Sequence, residues 1–159
     1  GLEFVCGDVS RYTPEGEVDL VVSLHACDVA TDFVLERAVK WRAKVILSTP
    51  CCHHELNHRI DCAALSFITA HSMLRQKLCD AATDALRLKY LEGHGYAVAA
   101  LELIDPEETP KNIMLRGILR EKPDAAAMEA ARMEYLDARN FLTGGKANVQ
   151  TVLCPDVWG

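Results

Sequence analysis

Two short segments concentrate the residue types that carry out chemistry. His25-Ala26-Cys27-Asp28 follows one apolar run, and Pro50-Cys51-Cys52-His53-His54 follows the next. Imidazoles and carboxylates move protons near neutral pH, and thiolates act as nucleophiles or bind soft metals. In open α/β sheets, ligands bind at the carboxyl ends of strands. Asp8 ends a first β-like run, so three strand ends are expected to face one crevice. Packing alone does not require Cys and His massed at two successive strand ends. A nucleophile pair such as Cys52 with His25 is one chemistry open to them.

Residues 54–58, His-Glu-Leu-Asn-His, also match the H-E-x-x-H pattern of zinc hydrolases. That mechanism needs His54 and His58 on one helix face, Glu55 beside a zinc-bound water, and a third ligand. Only Glu92 or His71 offers itself, and Asp61 stands where the longer metzincin pattern has glycine. A structural zinc site from Cys51, Cys52, His53 and His54 would strain tetrahedral chelation through adjacent ligands, and no C-x-x-C pair exists. No metal centre is therefore assigned. Thr83, Asp84 and Arg87 share the polar side of a helix at one-turn spacing, where a solvated face with a local ion pair is the simplest outcome. Lys111-Asn112 closes a loop just before a strand. Neither G-x-G-x-x-G nor a P-loop is present.

The elements that must position these residues follow from hydrophobic periodicity. Strands are expected over 2–6, 18–24, 45–49, 96–104 and 112–119, the second as a near-continuous apolar run buried on both faces. Helices are expected over about 32–41, capped by Thr31 or Asp32, and over about 72–92, with Leu74, Leu78, Ala81, Ala85, Leu88 and Leu91 as its inward stripe. A last helix runs from Pro123 to about Leu142, with Met128, Ala131, Tyr135, Ala138 and Leu142 on one face, and Gly144-Gly145 stops it. Segment 53–61 is polar and left unassigned. The alternation predicts an α/β domain with a largely parallel sheet. The seven-residue link before the last strand makes the final two antiparallel neighbours.

Composition sets the outer limits. The chain has 159 residues, half of them apolar, and 23 acidic against 17 basic residues give a net charge of −6. No overall basic field advertises nucleic acid, although a local groove is compatible with that balance. No apolar run approaches the ~20 residues of a membrane span. Seven cysteines, an odd number set in or beside apolar runs, point to free thiols in a reducing cytoplasm. Gly1 followed at once by a strand-like run points to further sequence upstream.

Four blocks, LHACDVATD (24–32), STPCCHHEL (48–56), TDALR (83–87) and EETPKNIMLR (107–116), resemble the C-terminal half of a group of class I S-adenosylmethionine-dependent methyltransferases. The first two also resemble the tRNA ribose 2′-O-methyltransferases of the acceptor stem. The resemblance implies a Rossmann-like sheet in the order 3-2-1-4-5-7-6, of which this chain carries strands 3–7 but not strands 1–2 or the glycine-rich loop. It divides the chain into 1–122, the C-terminal portion of the methyltransferase domain, and 123–159, a helical tail. By the same resemblance Asp8 and Val9 lie near the cofactor adenine, and Leu24, His25, Ala26 and Cys27 near its methionine end. Asp28 or His25 serves as base or orients the acceptor, and His53 and His54 bind substrate. Pro50, Cys51, Cys52, Thr83, Asp84, Arg87, Lys111 and Asn112 form the substrate side.

S-adenosylmethionine is the implied cofactor and RNA an implied acceptor, with Lys111, Arg116, Arg120 and Lys122 as a modest basic run. Where strands 1 and 2 would pair, an open sheet edge favours self-association. The alternatives are the zinc hydrolase on His54, Glu55 and His58, and a catalytically silent methyltransferase-like module that binds a partner through that edge.

Overall fold

The computed structural model describes residues 1–103 and 112–145. Lys111, the loop before it, Cys154 and the rest of the chain from Lys146 lie outside the described residues. Among the described residues the elements run β1 (Leu20–Leu24), α1 (Val29–Lys40), β2 (Val45–Thr49), α2 (His54–Arg59), a 3-10 turn (Ala63–Leu65), α3 (Ser66–Thr69), α4 (Ser72–Gly93), β3 (Tyr96–Glu102), β4 (Ile113–Leu119) and α5 (Ala125–Thr143).

The strands form one open mixed sheet in the order β1-β2-β4-β3. β1 and β2 are parallel, Leu20 opposite Val45 and Leu24 opposite Thr49. β4 is antiparallel to both neighbours, with Ile46 opposite Gly117 on one side and Val98 opposite Gly117 on the other. The antiparallel ending is thus as the short link requires, and the order matches 4-5-7-6. The sheet is less parallel than expected, since β1 and β2 are its sole parallel pair among the described residues.

The expected strand over 2–6 does not form. Leu2, Phe4 and Val5 are 82%, 89% and 60% exposed and the segment is irregular. A strand is held by its ladder, and among the described residues segment 2–6 pairs with no strand. β1 is correspondingly open. Leu20, Val22 and Leu24, which share one face, are 51%, 51% and 67% exposed, so β1 is not buried on both faces.

The opposite face carries the core. Val21, Ile46, Val98 and Leu119 on the sheet meet Leu35 and Ala38 of α1, Cys79, Leu86, Tyr90 and Leu91 of α4, and Tyr135 and Leu142 of α5. α5 buries Ala131, Tyr135 and Leu142 as its periodicity predicts, and Gly144 caps it at φ 60°. α4 follows its expected apolar stripe only in part: Leu91 is buried and Leu78 and Leu88 are half-buried. Leu74, Ala81 and Ala85 face outward, while Cys79, Thr83, Asp84, Leu86, Arg87 and Tyr90 turn in. The polar side of α4 is buried because charged partners wait for it beneath.

Candidate active site

The site is built where β1 and β2 end. Leaving β1, His25 and Asp28 take φ values of 55° and 50°. Such backbone is sparsely populated by non-glycine residues and must be held by its surroundings. Several bonds do so. Thr31 Oγ1 donates to Ala26 O at 2.6 Å, and the Asp28 amide donates to Cys52 O at 3.2 Å, tying one loop to the other. The Asp28 carboxylate reaches across as well. Its Oδ1 accepts from the amides of His54 and Glu55 at 3.1 and 3.2 Å. α2 has no side-chain cap of its own, and Asp28 supplies those bonds from the neighbouring loop. Helix α1 begins at Val29, earlier than the expected Thr31 or Asp32 cap, which frees Asp32 for another role.

That role lies in a buried charge network. Arg87, 0% exposed, donates from Nε to Asp32 Oδ1 at 2.7 Å, from Nη1 to Asp84 Oδ1 at 3.1 Å, and from Nη2 to Asp28 O at 2.9 Å. Asp84 Oδ1 is also 2.8 Å from His53 Nε2, and His53 Nδ1 lies 3.4 Å from Asp80 Oδ1. Burial lifts the Asp32 carboxyl above its ordinary pKa while Arg87 pulls it back. Burial would lower the Arg87 pKa, but Asp32 and Asp84 more than offset it and the guanidinium stays charged. The third guanidinium bond fixes the carbonyl of Asp28, so the network sets the backbone of the site.

Three thiols gather beside Asp28. Cys27 Sγ lies 3.3 Å from Cys51 Sγ, which lies 3.7 Å from Cys52 Sγ. The hydrogen bond with Cys27, followed by desolvation, pushes the Cys51 thiol up to about 11. Cys6, Cys27, Cys51, Cys52, Cys62 and Cys79 are all free.

Two of the three expected strand ends therefore meet. Leu24, His25 and Cys27 are exposed, and Ala26 is half-buried. Pro50, His53 and Asp84 line a cleft of about 200 Å³ with Lys77, Asp80 and Ile113. His54 is exposed and does not line this cleft, whereas Thr83 is buried and bonds Cys79 O at 2.7 Å. Asn112 is buried, its carbonyl accepting from the Leu103 amide at 2.9 Å.

Asp8 does not join this crevice. Its carboxylate accepts from the Ser10 amide, which chiefly lowers its pKa, and it sits near Arg37 in the last turn of α1. Tyr12 packs edge-on against Trp41 at 5.8 Å. With Val9, Asp8 lines a separate cleft of about 280 Å³. Twelve helical residues, about 18 Å, separate that end of α1 from Asp28. Without a strand over 2–6, nothing carries Asp8 to the other end.

His54 and His58 do share α2 at helical spacing, but both are exposed. Among the described residues the one group of three His, Cys, Asp or Glu ligand atoms close enough to share an ion is Cys27, Cys51 and Cys52. The H-E-x-x-H segment thus gathers no third ligand there, neither Glu92 nor His71. Sequence reasoning missed Asp32 and Asp80 as parts of the site. The signal for Asp32 was an acidic residue one turn inside a helix whose entry loop was already singled out.

Residues 1–59 match the family model described as a methyltransferase domain. The match covers β1, α1, β2, both site loops and α2. The glutathione S-transferase C-terminal domain-containing proteins of Bos taurus and Homo sapiens are each 26% identical over 140 residues, covering 72% of this chain. The chain spans 22% of the length of these curated relatives. No solved structure matches it.

Proposed function

We propose that the chain forms the acceptor side of an S-adenosylmethionine-dependent methyltransferase. The observation that carries this is the Asp28 clamp. Just past the end of β1, the Asp28 carboxylate is fixed by two amides and the Asp28 carbonyl by the buried Arg87, within the segment that matches a methyltransferase domain. The strand order β1-β2-β4-β3 with its antiparallel third member supports the same fold family.

When bound, S-adenosylmethionine supplies a sulfonium-borne methyl group open to in-line attack. The exposed end of β1, Leu24 to Cys27, fits the methionine end of such a cofactor, with the Asp28 carboxylate as countercharge to the sulfonium. Asp8 and Val9 reach the adenine only if segment 2–6 pairs as a strand in the natural protein. Alignment of acceptor and methyl provides most of the rate. Asp28, held through Oδ1, orients a hydroxyl acceptor or takes its proton, with His25 beside it. His54 faces the acceptor, and His53 positions the cleft wall through Asp84. RNA is the proposed acceptor class, following the resemblance to tRNA enzymes.

Asp28→Asn keeps the Oδ1 acceptor and so the cap on α2, but loses the charge. It is expected to keep the fold while lowering methyl transfer about 100-fold or more. Asp28→Ala should lose both. The measurement is tritiated methyl transfer from S-adenosylmethionine into nuclease-sensitive RNA by the natural protein. Wild-type rates in Asp28→Asn would remove Asp28 from the mechanism.

A further inference from the structure

We infer that Cys27, Cys51 and Cys52 form a three-thiolate site for one zinc ion. The inference does not depend on methyl transfer. Cys27 comes from the loop after β1, and Cys51 and Cys52 come from the loop after β2. Their three sulfurs all lie within 4.8 Å of one another, with two separations of 3.3 and 3.7 Å. Tetrahedral zinc with Zn–S bonds of ~2.3 Å holds its thiolates about 3.8 Å apart. The sulfurs are therefore spaced for chelation before any ion arrives.

Adjacent ligands in sequence would ordinarily strain such a site, yet Cys51 and Cys52 already stand at chelating distance. The Asp28 amide bond to Cys52 O and the Asp28 bonds to α2 lock the two loops together, so little reorganisation remains. Thiolate softness selects zinc or copper(I) over magnesium and calcium. Zinc fits three ligands plus one open position, which solvent or an incoming ligand fills. Binding displaces the thiol protons to solvent, with no change of oxidation state. A Cys27–Cys51 disulfide is the competing fate. It would need the sulfurs to close from 3.3 Å to ~2.05 Å and an external oxidant.

The test is titration of the reduced 159-residue chain with cobalt(II) under anaerobic conditions, followed by displacement with zinc. The expected result is one cobalt per chain with thiolate-to-metal charge-transfer absorption, bleached by one equivalent of zinc. Cys27→Ser should weaken binding about 100-fold, and Cys51→Ser and Cys52→Ser should do the same. Cys6→Ser, Cys62→Ser, Cys154→Ser and His58→Ala should leave it unchanged. Circular dichroism checks that each variant folds, and exposed Cys27 carries the test if the others do not. Absence of stoichiometric binding, binding indifferent to Cys27→Ser, or binding lost in His58→Ala would each overturn the inference. So would a Cys27–Cys51 disulfide that persists in the presence of reductant and excess zinc.

Discussion

Removing the Arg87 guanidinium would leave Asp32 and Asp84 buried without their countercharge. Arg87→Met is expected to cost about 3–5 kcal/mol of stability, measured by urea denaturation. Arg87→Lys should recover only part of that loss, since it restores the charge but its donors sit on one nitrogen and cannot span the three partners of the guanidinium fork. The residue types of this network were legible, because Thr83, Asp84 and Arg87 stand at one-turn spacing. Their direction was not. Periodicity marks faces without saying which faces inward, and the partner of Arg87 lies 55 residues away. His94 gives a pH prediction at the same scale. Burial holds its pKa below the ordinary value, against the hydrogen bond from Nδ1–H to Tyr90 O. The unfolded ring titrates near ~6.5, so stability present above that pH is lost as the pH falls toward and through the lower folded value. Between about pH 7.5 and about pH 5, His94→Gln should lose less urea resistance than the parent chain.

Among the elements, α5 was the most legible, because its Ala-rich stripe and its Gly stop agree, although it begins at Ala125 rather than at Pro123. The Asp124 side chain accepts from the Ala126 amide, so Asp124→Ala should cost about 1 kcal/mol in thermal or urea unfolding. Tyr135→Ala should cost about 3–5 kcal/mol, since the ring lies wholly in the core shared with α4. The short helix α2 could not be read from its own residues. Its first amides are satisfied by Asp28, 26 and 27 residues earlier in the chain. The segment over 2–6 failed for a related reason: β propensity describes a surface to pair with, not a strand that stands alone.

At the scale of the molecule, among the described residues the sheet ends on β1 with an unpaired edge and three exposed apolar side chains on one face. Open apolar edges associate, and we propose that the 159-residue chain dimerises through this edge. Sedimentation should show a concentration-dependent dimer that Val22→Lys returns to monomer, and a monomer at all concentrations would refute it. No described helix is long and apolar enough to cross a membrane. The same edge adjoins the loop that ends in Asp28, so cofactor affinity should depend on what pairs with β1 in the natural protein. Calorimetric titration of S-adenosylmethionine into the natural protein that carries this chain therefore bears most directly on the proposed activity. Saturable one-to-one binding is expected, weakened about tenfold or more by Asp28→Asn, which loses the countercharge to the sulfonium. Absence of measurable binding, or binding to which Asp28 and His25 are both indifferent, would contradict a methyl-transfer site at the ends of β1 and β2.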